Sequence, residues 1–324
     1  MLRSFIHMAA GLTFSAGPAA ALPAHPPLHK VASLKITVLS TMLADRGMGE
    51  WGFSVLVEAD GHRILFDTGM HPATVLDNAR DLGIDLSNVT DVVLSHHHGD
   101  HTGGLVELRQ ALSKKSPSAM SRIHVAPGIF LSRRQPGGDD EANPTIAVKS
   151  AMEAAGAVFV VHGKPQEIFP GVWLTGPVPR PNPERYYGAP ESIVTGGGLV
   201  TDSIPEDMAL LINTGKGFVI VAGCGHAGTI NTVEYARRIL GAEPAYAIVG
   251  GLHLFAAPDS ALAWTATRLR SAQLGYLLGA HCTGIEAVFR IRKLADLDRK
   301  RAVVAAIGSS FDASKGIDPL ALAQ

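Results

Sequence analysis

Residues 91–104 read Asp91-Val92-Val93-Leu94-Ser95-His96-His97-His98-Gly99-Asp100-His101-Thr102-Gly103-Gly104. A short apolar run bounded this way predicts a buried strand over Asp91 to Ser95. Successive side chains on an extended backbone leave on opposite sides, so His96 and His98 share a face and His97 points away. Gly99 lets the chain turn. Asp100 and His101 follow at the approach to a helix predicted over Leu105 to Leu112, which aims them back at the same pocket. His-x-His-x-Asp-His therefore offers two imidazoles to one divalent ion and opens a second position beside it. With 14 histidines in 324 residues, this pattern arises by chance on the order of once in a thousand such chains. The cluster is internal, follows an apolar strand and includes an acid, which argues against a surface polyhistidine tract.

Outward from this stretch, Ser54 to Glu58 and Arg63 to Asp67 flank Asp60-Gly61 and predict a hairpin. A second hairpin is predicted from Met208 to Asn213 and Phe218 to Ala222 around Thr214-Gly215-Lys216-Gly217. Helices over Asn231 to Leu240, Ser260 to Gln273 and Ile285 to Leu294 alternate with strands over Ala245 to Val249 and Tyr276 to Gly279. Strands and helices alternating in both halves indicate a layered α/β fold. Strand Phe218–Ala222 runs into Gly223-Cys224-Gly225-His226, and strand Tyr276–Gly279 into Ala280-His281-Cys282-Thr283. Gly250-Gly251-Leu252-His253 is a weaker instance. Each places a histidine at a strand's C-terminal end, where α/β sheets put their ligands.

Residues 132–148 and 176–206 are crowded with Pro, Gly and charge. They read as long loops, either lids or plain surface connections. Arg185 and Tyr187, on the second, are placed to meet an anionic or aromatic substrate group. The chain has two cysteines. A single bridge is open to them, but both Cys224 and Cys282 sit beside a histidine in a Gly-rich turn, which suggests a site.

A net charge of −1 gives no drive toward nucleic acid or acidic lipid. The basic run Arg290 to Arg301 has helical spacing and reads as a solvated helix face. Residues 1–24 have the order of a secretory leader, with Arg3, an apolar stretch and Ala19-Ala20-Ala21. This favours a periplasmic or secreted destination; the other reading is the N-terminus of a cytoplasmic protein. Residues to 30 form a linker, 31–312 the domain and 313–324 a tail. No other segment has the ~20 apolar residues of a membrane span. Self-association is left open.

The stretch around His96-x-His98-x-Asp100-His101, with Ile64-Leu65-Phe66-Asp67-Thr68-Gly69 before it, resembles the metallo-β-lactamase superfamily. Glu50-Trp51-Gly52-Phe53-Ser54, Glu206-Asp207-Met208-Ala209-Leu210, Gly223-Cys224-Gly225-His226-Ala227-Gly228, Gly250-Gly251-Leu252-His253-Leu254 and His281-Cys282-Thr283-Gly284 narrow the match. Together they resemble the dihydropteroate-synthase-like or ribofuranosylaminobenzene-phosphate-synthase-like branch, from about Val31 to Phe311. The resemblance implies an αββα sandwich with a dinuclear metal site at one edge, most simply two Zn, with Fe or Mn as other occupants. It implies His226, His281 and His253 as later ligands, although Leu-His-Leu around His253 also suits a core histidine. A superfamily histidine after a mid-chain Pro-Gly turn is not evident: Pro170-Gly171-Val172-Trp173-Leu174-Thr175-Gly176 occupies its place, so the first position draws on His226 instead. No bridging aspartate is visible in the second half, and Cys224 is a soft ligand for that place. Asp67 is read as the acceptor of an imidazole N–H that fixes the metal-binding tautomer, or else as a turn cap.

The leading expectation is a hydrolase that turns a metal-activated water, oriented by Asp100, on a small-molecule ester, lactone, amide or phosphoester. Non-haem iron oxidation and a metal-binding sensor without turnover are the alternatives.

Overall fold

The computed structural model describes residues 28–184 and 191–323. The expected leader (1–24) and the loop residues Arg185 and Tyr187 lie outside them. Among the described residues, two large sheets face each other. The first has eight strands, in the order Gly316–Asp318, Ser310–Asp312, Leu34–Ser40, Ser54–Ala59, His62–Phe66, Asp91–Val93, Arg122–Val125 and Val158–Val161. The second has seven: Ala302–Val304, Tyr276–Gly279, Ala245–Gly250, Gly217–Ala222, Leu210–Thr214, Val172–Leu174 and Gln166–Phe169. Each has a parallel half, from His62–Phe66 outward in the first and from Gly217–Ala222 to Ala302–Val304 in the second.

Strand alternation sorts the apolar side chains into three cores. Val55, Val57, Ile64, Phe66, Val219 and Val221 meet between the sheets. Leu56, Leu65 and Val92 point outward and pack under helices Thr74–Asp81, Leu105–Leu112 and Thr145–Ala154. Phe218, Ile220 and Ile248 point the other way, under helices Thr229–Leu240, Asp259–Ser271 and Ile285–Leu294. The result is the αββα sandwich, and strands covered on both faces explain the continuous apolar runs in the sequence. Truncating a side chain such as Phe66, with no exposed surface, costs about 3–5 kcal/mol.

The first hairpin turns at Asp60 (φ 47°) and Gly61 (φ 84°), two consecutive positive φ values as a tight two-residue turn requires. The Asp60 carboxylate accepts the N–H of Ala32 and of Ser33 (3.0 and 2.7 Å), tying the chain entry to this turn.

Two expectations need correction. Residues 132–148 and 176–206 are not loops throughout: Arg133–Arg134, Ser192–Thr195 and Gly198–Thr201 form a small separate sheet, and helix Thr145–Ala154 starts inside the first segment. Gly196 and Gly197 let two β-branched stretches fold back on each other, a local signal masked by the surrounding Pro, Gly and charge. Residues 313–324 are not merely a tail, because Gly316–Asp318 pairs antiparallel with Ser310–Asp312. No helix among the described residues is long and apolar enough to cross a membrane.

Candidate metal centre

Strand Asp91–Val93 ends where the parallel strands of the second sheet also end, and the chain then delivers the histidine cluster to the seam. Ser95 donates from Oγ to Asp67 Oδ2 (2.7 Å). Its oxygen therefore faces His96 Nδ1 (2.8 Å) as an acceptor, which puts the His96 proton on Nδ1 and leaves the Nε2 lone pair open. His96 Nε2 lies 3.0 Å from His98 Nδ1 and 3.2 Å from His226 Nε2. These three residues form a first set of converging donors.

The second set is Asp100, His101 and His281. His101 Nδ1–H donates to Asp67 Oδ2 (2.7 Å), so its Nε2 is likewise an open lone pair. Asp100 Oδ2 lies 3.2 Å from His281 Nε2 and 3.8 Å from His101 Nε2. His281 is buried, and neither of its ring nitrogens has an aligned hydrogen-bond partner among the described residues.

Cys224 sits between the sets. Its Sγ is 3.1 Å from His101 Nε2, and it also groups with His96. On its other side Cys282 Sγ is 3.1 Å away, and His253 completes a group with the two thiols. The structure thus brings together His96, His98, Asp100, His101, His226, His281, His253, Asp67 and Cys224. His97 turns away, with Nδ1 2.7 Å from Glu206 Oε1 and Nε2 3.2 Å from Glu191 Oε2. Glu206 is in turn held by Arg133 (2.9 Å), which has no exposed surface.

Electrostatics prepares the donors. Burial and the neighbouring imidazoles push His96 and His226 well below the ordinary histidine range, and burial with His97 brings His98 down to about 3. All three are neutral and able to donate a lone pair. Burial opposes the Asp100 carboxylate, but His101 and His281 outweigh it and hold the carboxyl well below its usual range. Burial likewise opposes His281's charge, yet Cys282 and Asp100 raise it to about 10.

The backbone is strained where it positions these groups. Asp67 (φ 56°), His253 (φ 50°) and His281 (φ 46°) all occupy the left-handed region, at about 1–3 kcal/mol each. Surrounding hydrogen bonds hold Asp67 and His281: Asp67 N–H to Val93 O (2.8 Å), Ser54 Oγ to Asp67 O (2.8 Å) and His281 N–H to Thr41 Oγ1 (3.0 Å). Gly223 is required by close approach, since a Cβ there would overlap Ser95 Oγ and Asp67 Oδ2.

A cavity of about 420 Å³ opens beside the first set, lined by His226, His253, Leu252, Leu254, Trp264 and Glu184 among others. Glu184 accepts the N–H of Ile230 (3.0 Å) and Asn231 (2.7 Å) in the first turn of helix Thr229–Leu240, which anchors the long loop to the cavity wall. Exposed Trp51 and Phe255 stand at the other side, with the Trp51 ring 4.9 Å from that of His281 and 5.7 Å from that of Phe255. Ser95, Glu184, Trp51 and Phe255 were not assigned from sequence, and Cys282, placed there only in a site-like turn, was given no partner. Cys282 and Trp51 lie within recognisable motif stretches, but nothing local says where their side chains meet.

A family profile described as "Metallo-beta-lactamase superfamily" matches residues 52–189. The 7,8-dihydropterin-6-methyl-4-(beta-D-ribofuranosyl)-aminobenzene-5'-phosphate synthase of Methanocaldococcus jannaschii is 29% identical over 272 residues, covering 80% of this chain and 91% of that protein. The crystal structure of Tm1679, described as a metal-dependent hydrolase of the beta-lactamase superfamily, superposes with a TM-score of 0.70 at 25% identity, covering 86% of this chain and 98% of that one. Zinc-bound PqqB from Methylobacterium extorquens shares the fold, with a TM-score of 0.52 at 14% identity over 85% of this chain and 99% of that one.

Proposed function

We propose that this chain, which carries a metallo-β-lactamase superfamily domain, is a hydrolase of small molecules that works with two divalent ions. The observation that carries the reading is the pair of three-donor sets, His96/His98/His226 and Asp100/His101/His281, meeting at Cys224. The donor chemistry fits such ions: imidazoles, with the tautomers of His96 and His101 fixed by Ser95 and Asp67, one carboxylate and one thiol, the nitrogen, oxygen and sulfur mixture that zinc accepts. When bound, the ions supply Lewis acidity and water activation near neutral pH.

The chain's own groups do the rest. Asp67 and Ser95 hold His101 and His96 in the tautomers that present Nε2. The Asp100 side chain keeps 17% exposure and stays ionised, so it can orient a water and carry its proton to the leaving group. Leu252, Leu254 and Trp264 receive the apolar part of the substrate in the cavity beside His226. Glu184, fixed to the first turn of helix Thr229–Leu240, borders this cavity.

The experiment is a panel of chromogenic phosphoesters, lactones and β-lactams with fully metallated protein. Turnover that Asp100→Asn lowers by about 100-fold or more supports the proposal; inactivity of well-metallated protein on every class overturns it. Because the Methanocaldococcus jannaschii relative bears a synthase name, products are identified in water and with added alcohol or amine acceptors. Elemental analysis of protein purified without added metal addresses the redox alternative. Stoichiometric iron with a visible absorption band would replace hydrolysis by oxidation.

A further inference from the structure

Three adjacent parallel strands, Gly217–Ala222, Ala245–Gly250 and Tyr276–Gly279, end level with one another. Just past its end, each supplies one donor: Cys224, His253 and Cys282. Their ligand atoms all lie within 4.8 Å of one another. Both cysteines are free and buried, with Sγ atoms 3.1 Å apart.

The fold holds this convergence without outside help. Leu254 N–H and Phe255 N–H both donate to Cys282 O (3.0 and 3.2 Å), which locks the His253 segment against the Cys282 turn. Thr283 Oγ1 donates to Gly250 O (2.9 Å) and accepts Leu252 N–H (3.0 Å). Glycine is required at position 251 by close approach, because a Cβ there would stand 2.8 Å from Cys282 Sγ and overlap the Gly223 carbonyl. Two thiols and an imidazole brought together in a buried place are the donors of a thiophilic ion.

We infer that Cys224, His253 and Cys282 form a third metal position, which takes a soft d10 cation such as Zn²⁺ or Cu⁺ and shares Cys224 with the neighbouring donor sets. This position rests on the convergence of its three donors and does not depend on the hydrolase proposal.

The test uses the full chain, purified anaerobically under reducing conditions, saturated with Zn²⁺ or Co²⁺ and freed of excess ion. Metal per chain is measured for the wild type, Cys282→Ser and His253→Gln. The position predicts about one ion fewer in each variant than in the wild type. It also predicts that the near-ultraviolet sulfur-to-cobalt absorption of Cys282→Ser falls to about half. The substitutions lie on different segments, so a folding failure in one leaves the other informative, and circular dichroism checks each. Equal ion counts in the wild type and the folded variants, or unchanged thiolate absorption in Cys282→Ser, would overturn the inference.

Discussion

Asp67→Asn perturbs the centre without removing a single donor atom. The Asp67 carboxylate accepts three hydrogen bonds: Ser95 N–H on Oδ1 (2.8 Å), and Ser95 Oγ–H and His101 Nδ1–H on Oδ2 (both 2.7 Å). An Asn that keeps its oxygen for Ser95 N–H must place its NH₂ where Oδ2 was, facing two donors. His101 then either moves its proton to Nε2, which closes the lone pair toward Cys224 and Asp100, or leaves a buried N–H unmatched at about 1–3 kcal/mol. Ser95 Oγ also turns, which frees the His96 tautomer. Losing such a partner typically lowers metal affinity 10–100-fold, or about 1.4–2.8 kcal/mol. The backbone is no obstacle, since Asn tolerates the φ of 56° that Asp67 adopts. Competition against a chromogenic chelator at neutral pH, with thermal melts of both metal-free proteins as control, measures the effect. If Asp67→Asn folds normally and keeps its affinity within about threefold of the wild type, the tautomer argument is wrong.

His97→Ala should retain the full metal content while lowering stability by about 1–3 kcal/mol in urea unfolding, because Glu206 and Glu191 lose a buried partner; loss of an ion would show that His97 is a ligand. Arg133→Met should cost about 3–5 kcal/mol by the same method, since Glu206 and Asp202 stay buried without their guanidinium; a change under about 1 kcal/mol would contradict the pairing. Burial and His124 bring His162 down to about 4 from an ordinary 6.5. The unfolded chain therefore takes up this proton first, and stability is lost as pH falls from about 6.5 toward 4. His162→Gln should make that decline shallower by up to about one proton in the slope of stability against pH, measured on metal-free protein; an unaltered slope would show that His162 does not titrate in this window.

How far the sequence reveals this site depends on how local each contact is. The split of His96 and His98 from His97 follows from strand alternation alone and appears in the structure as two opposed hydrogen-bond sets. The hairpin at Asp60-Gly61 and the helix Leu105–Leu112 are also local, and both are found where the sequence puts them. Cys224 beside Cys282 is not, because 58 residues separate them and only the register of three parallel strands brings them together. Arg133 is a similar case. A charged residue in a Pro/Gly-rich stretch reads as solvated, and its burial depends on acids 69 and 73 positions away. The strands Ser192–Thr195 and Gly198–Thr201 are a local hairpin, but their signal is lost among the Pro, Gly and charged residues around them, and the pairing with Arg133–Arg134 spans about sixty residues of chain.

Anomalous diffraction from crystals of the metal-saturated protein tests the central claim most directly. Two strong peaks are expected, one about 2.0–2.2 Å from nitrogens of His96, His98 and His226 and one at the same range from Asp100, His101 and His281. Saturated crystals with no density at one of these positions, or with the ions held by other side chains, would contradict the account.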